Sequence, residues 1–166
     1  MPIRYDGPHR KTLIFDLDET LIHCFENQEC NADIKLTITI DNNSFRIGFN
    51  IRPYTISFLK KMKKRWEIIV FTASHQAYAD CILDEIDPDR TLFDHRLYRQ
   101  HCKEITSDLY IKNLSRLNRN LSETVLIDNA AYSYAMHLDN GIPILPYYEG
   151  KDFELAALET YLQKLA

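Results

Sequence analysis

The sequence predicts an α/β domain: a parallel sheet flanked by helices, with a small hairpin inserted after the first strand. Three observations predict it. Apolar runs with the look of buried strands recur at 12–15, 67–71 and 124–127. Segments with helical spacing separate them. Each run stops abruptly at polar residues: Asp16 and Asp18, then Thr72, then Asp128 and Asn129. Strands covered on both faces show continuous apolar character rather than alternation, and that is the habit of parallel sheets.

Taken in order, residues 1–10 contain Pro2, Gly7 and Pro8 and make a lead-in; residues 11–166 are expected to form one domain. Thr12-Leu13-Ile14-Phe15 is the first strand. Residues 33–40 alternate polar and apolar, Asp41-Asn42-Asn43 is turn chemistry, and Phe45, Ile47, Phe49 and Ile51 alternate again. This is the hairpin, over about 33–51. Pro53 suits the first turn of a helix. That helix carries an apolar stripe of Ile56, Leu59 and Met62 and ends in Lys60, Lys61, Lys63, Lys64 and Arg65, which suit the negative end of its dipole. Glu67 to Phe71 is the second buried strand. Residues 75–86 form a second helix, stopped near Asp87-Pro88. A short strand is expected around Leu97-Tyr98, then loop and a short helix from Leu109 to Leu117. Thr124 to Ile127 is the third buried strand and Ile142 to Leu145 a last short one. A final helix runs from about Asp152 and buries Leu155, Leu158, Leu162 and Leu165.

Composition narrows the function. The chain of 166 residues carries a net charge of −4 with a pI near 5.8, which argues against a non-specific grip on nucleic acid. No apolar run reaches membrane-span length, and residues 1–10 lack the apolar centre of a signal peptide, so a soluble chain, monomeric by default, is expected. Cys24, Cys30, Cys81 and Cys102 form no Cys-x-x-Cys pair and are expected to be free thiols in a reducing compartment. His101 beside Cys102 is too little for a zinc site.

The chemistry gathers where the buried strands end. In open parallel sheets, ligands bind at the carboxyl ends of the strands, so Asp16, Asp18, Thr72, Asp128 and Asn129 can meet at one rim. If strand geometry continues past Phe15, Asp16 and Asp18 point the same way. Two such carboxylates repel unless a cation lies between them. With Asp128 and Asn129 they make an oxygen-only donor set, which suits Mg²⁺.

The segment from Leu13 to Leu21, with Asp16-Leu17-Asp18-Glu19-Thr20 at its centre, resembles the nucleophile motif of the haloacid-dehalogenase-like superfamily. It is closely similar to the branch of phosphatases acting on the C-terminal domain of RNA polymerase II (the FCP/SCP, NLI-interacting-factor-like branch). The resemblance continues in order through Arg52-Pro53-Tyr54, Val70 to Ser74, Leu97-Tyr98-Arg99, Cys102, Tyr110 to Ser115 and Leu126 to Asn129. It covers roughly residues 11–165.

The resemblance implies a Rossmannoid sheet with the hairpin as a small cap, and a Mg²⁺-dependent phosphatase acting on phosphoserine or phosphothreonine. By position, Asp16 is the nucleophile and Asp18 the general acid and base, ligating metal through its backbone carbonyl. Thr72 and Lys112 hold the phosphate, and Asp128 and Asn129 complete the metal site. In this branch the hairpin helps to form an apolar pocket for a proline near the phosphoserine; the matching positions are Ile38, Ile40 and Ile47, with Tyr78 nearby, the alternative being that they pack the hairpin on the main sheet. Arg99 either reaches the substrate or makes a structural ion pair. His75 stands where the branch carries an apolar pocket residue, Asn113 where it carries Asp, and Ala130-Ala131 where it carries Ser-Pro. A polymerase-tail substrate and a nuclear location, or else a cytoplasmic one, follow from the same resemblance. The alternative is a catalytically weak scaffold on the same fold.

Overall fold

The computed structural model describes residues 10–25, 32–40 and 43–165. The lead-in up to residue 9, Cys30, turn residues 41 and 42 and the side chain of Ile40 lie outside the described residues.

Five parallel strands make the central sheet, in the order β10 (Gly141–Pro143), β9 (Thr124–Asp128), β1 (Lys11–Phe15), β5 (Trp66–Phe71), β6 (His95–Leu97). Phe15 lies level with Val70 on one side and Ile127 on the other. The C-terminal ends of the three apolar strands are therefore flush, and the polar residues that follow them share one rim. Side-chain alternation divides the sheet between two cores. Leu13, Phe15, Ile68 and Val70 face the cluster that includes residues of helices α1 (Thr55–Met62), α2 (Gln76–Ile86) and α3 (Glu154–Leu165). Ile14, Ile69, Phe71 and Leu126 face the other way. That second face is covered by single turns of 3₁₀ helix, Leu114–Leu117 and Ala131–Tyr134, rather than by α-helices.

The expected hairpin is present and larger than expected. Strand β3 (Ile34–Ile40) pairs antiparallel with β4 (Asn43–Ile51), and β2 (Ile22–Phe25) pairs with the other edge of β4. β2 has only four residues, Ile-His-Cys-Phe, too few to show a period. A second small hairpin, β7 (Lys103–Thr106) with β8 (Leu109–Ile111), replaces the loop expected ahead of the short helix at 114–117.

Helix α1 begins at Thr55, two residues after Pro53, because Tyr54 adopts a left-handed conformation (φ 70°) that no helix can include. The later start sets the buried face as Thr55, Phe58, Leu59 and Met62, at i, i+3, i+4 and i+7. Ile56, expected in that stripe, is on the exposed side. In α3, Leu155 and Leu162 are buried as expected, and Leu158 and Leu165 pack against them while remaining partly exposed. No helix among the described residues is long and apolar enough to cross a membrane. Among the described residues, Cys24, Cys81 and Cys102 take part in no disulfide.

Arg52 is the main polar tie between elements. Its side chain is fully buried at the end of β4. Nε and Nη2 donate to the two carboxylate oxygens of Asp152, both at 2.8 Å. Nη1 and Nη2 also donate to the carbonyls of Thr20 (3.1 Å) and Leu145 (2.8 Å). One guanidinium thus joins the loop after β1, the cap sheet and the segment leading into α3.

Candidate active site

A cavity of about 320 Å³ opens at the C-terminal rim of the sheet. Asp16 enters it as the residue following β1, with its backbone N–H held by the carbonyl of Ile127 at 3.0 Å. Lys112, the residue after β8, is 2% exposed, and its ammonium sits between two carboxylates. It donates to Asp16 Oδ1 at 2.5 Å and to Asp128 Oδ2 at 2.7 Å. Such short charge-assisted bonds in a buried place are the strong kind. Burial works against the Lys112 charge, but Asp16 and Asp128 outweigh it and hold the amine protonated. Burial likewise pushes the Asp16 carboxyl up, to about 7; Lys112 pulls it back, and Asp128 and Asp18 push it up again. Asp128 is satisfied on both oxygens: Oδ1 accepts the N–H of Ala130 at 2.8 Å, and Oδ2 accepts the hydroxyl of Ser133 as well as Lys112.

Asp18 has other hydrogen-bond partners. β1 ends at Phe15 and the chain turns, with Glu19 at φ 57°, and Asp18 stays close enough to Asp16 for its charge to push the Asp16 carboxyl up. Asp18 Oδ2 accepts from Ser74 Oγ at 2.7 Å and lies 3.4 Å from Thr72 Oγ1; Oδ1 accepts from Tyr78 Oη at 2.7 Å. Both aspartates still line the same cavity. Thr72, buried at the end of β5, also accepts the N–H of Ser74 on its hydroxyl at 3.0 Å. Asn129 Oδ1 lies 3.3 Å from the hydroxyl of Thr20.

Among the described residues, no three acidic, histidine or cysteine side chains converge as a ready-made metal nest. The chemistry of the cavity nevertheless fits a hard divalent cation. Its lining includes five acidic side chains, Asp16, Asp18, Glu19, Asp108 and Asp128, against two cationic ones, Lys112 and Arg99. So negative a cavity can accept a phosphate dianion only with added positive charge.

Of the expected pocket residues, Ile38, Ile47, Tyr78 and Arg99 come together along a second, open groove of about 590 Å³ between the cap sheet and α2. Its lining is mostly apolar and also includes Phe25, Phe45 and His75. Arg99 lines both the cavity and the groove. Its Nε donates to the carbonyl of Ala73 at 2.6 Å, its Nη1 lies 2.9 Å from His75 Nε2, and its guanidinium stacks over the Tyr110 ring at 5.0 Å. Ser74 and Ser133 are site residues that the sequence did not single out. Ser74 stood inside a recognised strand-end motif and could have been read from it. Ser133 comes from a 3₁₀ turn with no periodic signal.

A family model, described as NLI interacting factor-like phosphatase, matches residues 11–166. The chain is 37% identical over 166 residues to CTD small phosphatase-like protein 3 of Caenorhabditis elegans, covering 99% of this chain and 58% of that one. It is 35% identical to CTD small phosphatase-like protein 2 of Dictyostelium discoideum (99% and 29%) and 36% identical to Phosphatase Herzog of Drosophila melanogaster (99% and 46%). The chain thus spans between 29% and 58% of the length of these curated relatives. Among solved structures, the RNA polymerase II CTD phosphatase Fcp1 superposes with a TM-score of 0.70 at 26% identity, covering 94% of this chain and 48% of that one. The fission yeast Fcp1 bound to beryllium fluoride also gives 0.70, at 23% identity, with 94% and 50% covered. The fold is that of these phosphatases.

Proposed function

The chain belongs to the NLI interacting factor-like phosphatase family, and from that membership we propose that it is a Mg²⁺-dependent phosphoserine/phosphothreonine protein phosphatase acting through Asp16. The observation that carries the reading is the grip of Lys112 on Asp16, 2.5 Å apart at the floor of a polar, open cavity on the sheet's C-terminal rim.

A carboxylate is a usable nucleophile at neutral pH when its charge is offset. Asp16 attacks phosphorus in line; the bond between phosphorus and the serine oxygen breaks, and an aspartyl-phosphate forms. Asp18 gives its proton to the departing serine oxygen. The resulting Asp18 carboxylate then takes a proton from water, which attacks the aspartyl-phosphate, releases phosphate and restores Asp16. Lys112 and Thr72 hold the phosphate oxygens and stabilise the charge spread over them. Asp16, Asp128, Asn129 and the backbone carbonyl of Asp18 would hold Mg²⁺, which supplies the positive charge that lets a carboxylate meet a phosphate.

The openness of the cavity and the groove beside it support a polypeptide rather than a small metabolite. The groove accepts an apolar residue close to the phosphoserine. Names of relatives and neighbours make the RNA polymerase II C-terminal domain the first substrate to test, with a nuclear location to match.

The test uses an aryl phosphate and phosphoserine-proline peptides, in Mg²⁺ or in EDTA, with Asp16→Asn beside the wild type. Turnover in Mg²⁺ only, reduced at least ~10³-fold in Asp16→Asn, is the expected result. A folded, Mg²⁺-supplied protein that hydrolyses neither substrate would show a scaffold instead.

A further inference from the structure

Tyr78 belongs to two places at once. Its ring forms part of the apolar groove, together with Ile38 and Ile47 of the cap sheet. Its hydroxyl, at the far end of that ring, donates to Asp18 Oδ1 at 2.7 Å. Ser74 holds the other oxygen at 2.7 Å. Tyr78 stands on the first turn of α2, and Ala79 beside it is fully buried, so the helix backbone is a fixed base from which the ring can be pressed.

We propose that Tyr78 is a positioning residue that couples occupation of the apolar groove to the orientation of Asp18. The inference rests on the phosphatase reading above. A serine alkoxide is a poor leaving group, and its departure depends on a proton delivered from a correctly aimed acid. An apolar side chain seated against the Tyr78 ring sets the ring, and the ring's hydroxyl sets the carboxyl that must reach the serine oxygen. The preferred substrate is then a phosphoserine segment whose neighbouring apolar residue raises the rate of the chemical step as well as tightening binding.

The experiment compares wild type, Tyr78→Phe and Ile47→Ala on three substrates: an aryl phosphate, a phosphoserine peptide with an adjacent apolar residue, and the same peptide with glycine there. Tyr78→Phe keeps the groove's ring and removes only the hydroxyl; Ile47→Ala thins the groove without touching Asp18. In the wild type, the apolar peptide is expected to exceed the glycine peptide in kcat and to have the lower KM. In Tyr78→Phe, the KM advantage persists while the kcat advantage disappears, a fall of about tenfold on the apolar peptide. The aryl phosphate, whose leaving group needs no proton, falls much less. In Ile47→Ala, the KM advantage shrinks and the leaving-group dependence stays as in the wild type. An unchanged kcat advantage in Tyr78→Phe, or equal losses on aryl and seryl substrates, would overturn the coupling and leave the phosphatase reading standing. Absence of aryl phosphate turnover by the wild type would overturn both.

Discussion

Glu67 is 1% exposed near the start of β5, the end of that strand opposite the cavity. Its carboxylate accepts from Arg119 Nε at 2.7 Å and Nη2 at 2.6 Å, and from the Thr12 hydroxyl at 2.8 Å, with His95 Nε2 3.4 Å away. Burial alone would raise its pKa, but the bonds from Arg119, His95 and Thr12 more than reverse that and hold it at about 2 against an ordinary 4.5. A depressed carboxyl contributes stability above its unfolded pKa and loses it as the pH falls toward the folded one. Glu67→Gln is therefore expected to cost on the order of 3 kcal/mol at neutral pH. The gap in melting temperature from the wild type should close between about pH 4.5 and pH 2, which thermal melts across that range would show. At this scale the sequence was informative where a residue sat in an ordered motif. Asp16, Lys112 and Asp128 do lie together, as their positions implied. The partners of the Asp18 side chain were not legible, because they depend on a turn at Glu19 and on Ser74 and Tyr78, more than fifty residues away.

Among the elements, long apolar strands could be read from sequence because their period and length leave few alternatives. Short pieces could not: β2, β7 and β8 have three or four residues each and owe their strand character to partners supplied by the fold. The start of α1 was misplaced for a similar reason, since the left-handed Tyr54 is imposed by its surroundings and not by its own preference. Arg52 shows what binds the elements together. Lysine at that position keeps the charge but cannot present the fork that grips both oxygens of Asp152 while reaching Thr20 and Leu145. Arg52→Lys is expected to lower stability by roughly 2 kcal/mol, read from denaturant unfolding. Below its melting temperature it should also slow turnover, because Thr20 belongs to the loop that carries Asp18.

Across the whole molecule, the parallel sheet, its flush strand ends and the cap followed from the sequence, whereas the unequal cladding of its two faces did not. Of the layer over Ile14, Ile69 and Leu126, the short helix ending at Leu117 was expected, but the single 3₁₀ turn Ala131–Tyr134 leaves no helical period in the sequence and was not. That layer has a dynamic consequence. Elements held by few buried contacts and short hydrogen-bonded runs open more readily than the strands beneath them. Native-state amide exchange should therefore find residues 110–117 and 131–135 exchanging at least ~10-fold faster than β1 and β5. Equal protection across both layers would refute this. Lys112 and Ser133 belong to the thin layer, and Asp16 directly follows the strand β1 beneath it. The proposed nucleophile would then stand at the end of a persistent strand while the lysine that grips it rides on the part that breathes, and release of phosphate would be free to follow the excursions of that layer.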